Sequence, residues 1–203
     1  MTETGSEAGA SPKRQTFAFV APVLEGPRLR LYETLCAVEG PLYAVLDAAR
    51  DVRALNELKE EKAYRDESLE FRSLYDGESA QYLEMFSPFL VRLKPGSFLL
   101  KTLAASGWGN SWGIFVACKL SLPELRKHFR HFLTVDTPDG KSNYFRWYDP
   151  RVLRVFLPTC KGSELKEFFG PVQAFIAEDK DPDVLLRFSL SDPVQTSVNL
   201  AND

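Results

Sequence analysis

The chain has 203 residues, 44% of them hydrophobic and 26% charged, with a net charge of −3. That length and balance suit one globular domain with a real core and exclude an intrinsically disordered chain. The slight acidity argues against a general nucleic-acid binder, and no apolar run approaches the ~20 residues of a membrane span.

Aromatic residues reach 12%, with 15 phenylalanines, which favours either a densely packed core or a sticky interaction surface. Cys36, Cys118 and Cys160 are odd in number and widely spaced within apolar segments, the pattern of buried thiols in a reducing cytoplasm. Met1–Gln15 lacks the apolar stretch of a secretory signal, so the expected location is cytoplasmic.

In chain order, residues 1–16 read as a disordered tail. Phe17–Leu24 adds a strand or lies across the core. Arg28–Val38 is roughly helical and ends at Gly40-Pro41. Leu42–Leu46 is a buried strand closing at Asp47, and residues 51–61 form an exposed helix. Phe71–Tyr75 is a strand ended by the Asp76-Gly77 turn, and a short helix runs through Tyr82 and Met85. Pro88–Leu93 and Ile114–Cys118 are further buried strands. Between them lie a helix over Phe98–Ala105 and a glycine–tryptophan loop over Ser106–Gly113. Strands alternating with helices at these spacings predict an α/β fold with a mixed, partly parallel sheet.

Ser121-Leu122-Pro123-Glu124 has the form of a capping box, opening a helix whose stripe is Leu122, Leu125, Phe129, Phe132 and Leu133. Thr134–Asp136 and Asn143–Tyr148 make an antiparallel hairpin around the Pro138-Asp139-Gly140 turn. Within Tyr144–Tyr148 the two-residue period sets Phe145 and Trp147 on one face. Asp149-Pro150 starts a helix over 150–157, since aspartate caps free N–H groups and proline at the first position needs none. Pro158 stops that helix, and Ser163 caps another through Phe169. Val172–Ala177 and Val184–Leu190 are two final strands, so residues 17–171 form the main domain and 172–203 a short extension ending in a polar tail.

Chemistry-bearing patterns are sparse. His128 and His131 are the two histidines, without a third ligand at metal spacing, so no metal and no cofactor is expected. The Gly107–Gly113 loop has the wrong flanking order and no lysine for a phosphate loop. Its Trp108 and Trp112 either cover the sheet end or form an exposed contact patch. Lys119, Arg126, Lys127 and Arg130 give one helix a basic face, solvated or docked on an acidic partner. Arg146, among aromatics, calls for a carboxylate or carbonyl partner, with Asp47 a candidate. A small hydrolase or transferase using Asp47, Asp76 or Asp149 with Arg146 is the enzymatic alternative, and a nucleic-acid-binding module a third reading.

Several segments together carry a family resemblance over about Pro41–Pro171. They are Leu42–Asp47 with Ala48-Ala49-Arg50, Phe71–Tyr75, Pro88–Val91, Ser111-Trp112-Gly113, Leu122–Leu133, Asp139-Gly140-Lys141, Phe145–Leu153 and Phe168-Phe169-Gly170-Pro171. In order and spacing the chain resembles the effector-chaperone (adaptor) domain of bacterial type VI secretion systems, long catalogued as a domain of unknown function. The resemblance implies a non-catalytic chaperone that binds a toxic effector and helps load it onto a VgrG-type spike. Many such proteins carry a longer helix-rich region after the shared domain, where this chain has about 30 residues after Pro171. The contact residues expected for such partners are Trp108, Trp112, Arg126, Lys127, Arg130, Tyr148 and Arg151. Asp47, Arg146, Asp149 and Pro150 are expected to be structural.

Overall fold

The computed structural model describes residues 20–77, 82–137, 139–191 and 194–201. The expected tail over 1–16, residues 17–19 and part of the expected helix before Tyr82 lie outside them. Seven strands form the main sheet: β1 (Leu42–Asp47), β2 (Phe71–Ser73), β3 (Pro88–Leu93), β4 (Gly113–Cys118), β7 (Val172–Glu178), β8 (Val184–Phe188) and β9 (Gln195–Asn199). Their spatial order is β2-β3-β1-β4-β7-β8-β9, and β5 (Thr134–Asp136) pairs separately with β6 (Ser142–Tyr144).

Every neighbouring pair is antiparallel, which corrects the expectation of a partly parallel sheet. The reason lies in one slot. β3 and β4 are joined through a helix and run in the same direction, as in a parallel crossover unit. β1 lies between them and opposes both, with Val45 facing Leu90 on one side and Ile114 on the other.

Helices cover both faces of the sheet. On one side lie α1 (Gly26–Cys36), α2 (Val52–Glu60) and α3 (Phe98–Thr102), burying Leu31, Leu35, Leu55, Leu58 and Leu100 against Ala44, Leu46, Val91 and Phe115. On the other lie α4 (Leu122–Arg130), α5 (Pro150–Phe156) and α6 (Gly162–Phe169). There Phe129, Leu153 and Phe169 meet Val45, Val116 and Phe175 around the fully buried Trp147. Two-face burial explains why all six residues of β1 are apolar or buried, a pattern usual in parallel sheets.

Local signals set several boundaries. The capping box holds: Glu124 accepts the Ser121 backbone N–H at 3.0 Å, and the Ser121 side chain receives the amide of the third helical residue. Asp149 caps α5 by accepting the Arg151 N–H at 2.9 Å, with Pro150 at the first position. Ser163, however, sits inside α6, whose N-cap is Lys161. The hairpin strand stops at Tyr144, short of Tyr148, because a turn closes from Asp149 N–H to the Arg146 carbonyl at 3.0 Å. Val20 and Val23 are exposed and belong to no strand.

β9 falls where a polar tail was expected. It is the third strand contributed after Pro171, pairing with β8 from Val184↔Asn199 to Phe188↔Gln195. The three cysteines are free thiols. Among the described residues no helix is long and apolar enough to cross a membrane.

Candidate functional site

Antiparallel pairing brings the end of β1, the start of β4 and the end of β7 to one edge of the sheet. Three buried carboxylates gather there: Asp47, Asp149 and Glu178, at 0%, 3% and 4% exposure. Asp47 Oδ1 accepts the N–H groups of Ala49 (3.1 Å) and Arg50 (3.3 Å), turning the chain out of β1. Its Oδ2 accepts Arg146 Nε at 3.1 Å and also Arg146 Nη2. The expected Asp47–Arg146 pair is therefore present, although Arg146 keeps 39% of its side chain exposed. Burial pushes the Asp47 carboxyl up, and the hydrogen bonds and charge of Arg146 only partly offset it.

Asp149 combines its capping role with a two-oxygen grip on Arg151, whose Nε and Nη2 donate at 2.9 and 2.5 Å. Burial raises this carboxyl, but the Arg151 hydrogen bonds outweigh it and hold it below the ordinary value. Tyr148 is 2% exposed, and burial first, then the Asp47 charge, pushes its hydroxyl well up. It is thus a core residue and not a contact residue.

Glu178 clamps the glycine–tryptophan loop. Its Oε2 accepts the Gly109 N–H at 2.5 Å, and its Oε1 accepts the N–H and hydroxyl of Ser111, both at 3.0 Å. Ser111 takes a left-handed backbone at φ 57°, which this clamp holds in place. Burial raises the Glu178 carboxyl above its usual range. Trp108 and Trp112 are each 3% exposed, so they cover the sheet end and offer no surface patch. Trp108 Nε1 donates to the Pro182 carbonyl at 2.7 Å, and Trp112 Nε1 to Asp51 Oδ2 at 3.0 Å. Asp51 is held at about 2, chiefly by its hydrogen bonds from Arg53.

The basic face of α4 is largely engaged. Arg126 donates to the carbonyls of Ser73 (2.7 Å) and Tyr75 (2.8 Å), and Arg130 meets Asp76 at 2.6 Å. Lys127 remains exposed. His128 is half-buried, not a plain surface group. Its Nε2 lies 3.0 Å from the Phe168 carbonyl, and burial lowers its pKa. Among the described residues no three His, Cys, Asp or Glu side chains are placed to hold a metal ion.

The cavity beside Trp108, Trp112 and Glu178 measures about 10 Å³, barely enough for one water. An open groove of about 440 Å³ lies elsewhere, between the end of α4, the β5–β6 hairpin, α5 and α6. Its wall is Phe132, Phe145, Phe156 and Phe168, stacked edge to face at centroid distances of 5.0 Å (132–168), 4.8 Å (145–156) and 5.3 Å (156–168). Val135 on the hairpin also lines it, and Glu164 and Glu167 of α6 form its acidic rim. Two other grooves, of about 580 and 510 Å³, have mixed walls, including Glu70, Arg92 and Lys94 in one and Thr34, Gln173 and Arg187 in the other.

His131, Phe132, Phe145 and Phe168 stood out in the sequence for other reasons, and none of the groove residues was expected as a contact site. Phe132 was assigned to the core stripe, and the high phenylalanine count was the one general signal of a sticky surface.

Comparison with known proteins places most of this architecture in one family. No curated protein and no solved structure matches the chain. The family model described as "Domain of unknown function (DUF4123)" matches residues 42–167, from the first strand to the last turn of α6, and the chain belongs to that family.

Proposed function

We propose that this protein is a non-catalytic adaptor chaperone that binds a type VI secretion effector and helps load it onto a VgrG-type spike in the bacterial cytoplasm. The observation that carries the reading is the open phenylalanine groove, which lies almost wholly within the family-matched segment. A concave wall of aromatic rings with a polar rim is the form of a protein-docking site, because apolar rings offer large contact area at small entropic cost.

The hydrolase or transferase alternative finds less support. Asp47, Asp149 and Arg146 do converge, but both acids are already bound by protein donors. Catalytic groups need a free lone pair or proton facing substrate.

Affinity purification of the tagged full chain from its native bacterium tests the proposal. The expected result is co-purification of one secreted toxin together with a spike protein, and loss of that toxin's secretion when the gene is deleted. Normal secretion of every effector in the deletion strain would overturn the reading.

A further inference from the structure

Glu164 and Glu167 give the groove a negatively charged rim. They are exposed, one turn apart on α6, and neither has a basic mate among the described residues. Four other acids do have one: Glu84 meets Lys59 at 2.7 Å, Asp66 meets Lys94 at 2.7 Å, Asp76 meets Arg130 at 2.6 Å and Asp139 meets Lys141 at 2.9 Å. Lys161 and Lys166 share the helix with the two glutamates but do not line the groove. The Glu164 charge is felt nearby: burial first, then Glu164, pushes the Cys160 thiol up to about 11.

We infer that the groove receives a cationic, apolar-anchored segment of a partner protein, its aliphatic side chains seated on the half-buried Phe132, Phe145 and Phe156 over the buried Phe168, and its lysines or arginines on Glu164 and Glu167. This identifies the partner chemistry at the site proposed above and rests on that reading. Two unpaired carboxylates beside a low-dielectric aromatic wall concentrate their field on whatever enters, so they favour a cation and repel an anion. The ring faces strengthen that preference, since ammonium and guanidinium groups are attracted to aromatic faces. A volume of about 440 Å³ is within the ~300–1,000 Å³ typical of ligand clefts.

Two fluorescein-labelled model peptides with one leucine spacing, carrying lysine in one and glutamate in the other, probe this by anisotropy with the full chain. The lysine peptide should bind saturably and at least ~10-fold more tightly. Glu164→Lys with Glu167→Lys should reverse the order, and Phe156→Ser should weaken both peptides while thermal melts of the charge-reversed protein match wild type. Equal binding of the two peptides, no saturable binding of the lysine peptide, or a preference unmoved by charge reversal would each overturn the inference. If the native effector still co-purifies at wild-type level with the charge-reversed protein, the adaptor function stands and the groove assignment falls. If the peptides behave as expected but no secretion protein co-purifies, the reverse holds.

Discussion

Arg146 reaches from the turn before α5 to place two N–H donors on a single oxygen of Asp47, 99 positions earlier in the chain. The other oxygen of Asp47 is already taken by the backbone after β1, so the carboxylate joins the sheet to the helical layer above it. Arg146→Ala leaves a fully buried carboxylate without its counter-charge. The expected cost is about 3 kcal/mol, the low end for a broken buried pair because Arg146 is partly solvated. Asp47→Asn, which keeps an oxygen for the Ala49 and Arg50 N–H groups, should cost less. Chemical denaturation of the two single variants and the double variant checks this; additive effects would show that the pair is not coupled.

The Glu178 clamp predicts a local effect as well as a global one. Glu178→Ala orphans the Gly109 and Ser111 N–H groups and should cost about 2–3 kcal/mol. Amide exchange at Gly109 and Ser111 should accelerate more than exchange in β4. Uniform acceleration across the sheet would mean that the loop does not depend on this carboxylate.

Gly113 opens β4 where the sheet allows no side chain. A Cβ there would lie 1.9 Å from the Val45 carbonyl oxygen and 2.9 Å from Leu46 Cα. Both obstacles are backbone in a central strand and cannot step aside. Gly113→Ala should therefore destabilise by about 3 kcal/mol or more, read as a large drop in melting temperature.

His128 predicts a pH dependence whose sign follows from its burial. Its folded pKa is lowered below 6.5, so acidification protonates the unfolded chain first and draws the equilibrium toward it. The stability tied to the neutral ring is complete above pH 6.5 and declines as pH falls through the folded value. Asp47 and Glu178, raised by burial, act the opposite way, because their protonation favours the folded state. Comparison with His128→Gln isolates the histidine: between pH 7 and about pH 5 wild type should lose melting temperature faster than the variant. Parallel curves would remove His128 from the account.

Elements whose burial is one-dimensional were legible in the sequence. β1 and β3 have the expected limits, β4 starts one residue earlier, and α4 and α5 start at their cap signals. The Asp47–Arg146 pair followed from a simple need, an arginine among aromatics requiring an anion. Strand direction was not legible, because the slot between β3 and β4 is filled by a strand from earlier in the chain. β9 escaped notice because all five of its residues are exposed, leaving no apolar alternation. Trp108 and Trp112 were ambiguous because tryptophan serves cores and interfaces alike, and their bonds to Pro182 and Asp51 depend on distant segments. The phenylalanine groove depends on where two helices and a hairpin end, which periodicity does not encode.

The placement of β7 has a consequence for how the chain matures on the ribosome. β7 lies beside β4 in the middle of the sheet, yet it is made only after α6 is complete. Until it emerges, the nascent β2-β3-β1-β4 half-sheet carries a naked β4 edge of Gly113–Cys118, apolar and free of charge. Such an edge is a template for pairing with another chain. β7 thus closes an aggregation-prone seam, and the interval before it arrives leaves the newborn chain exposed to mispairing.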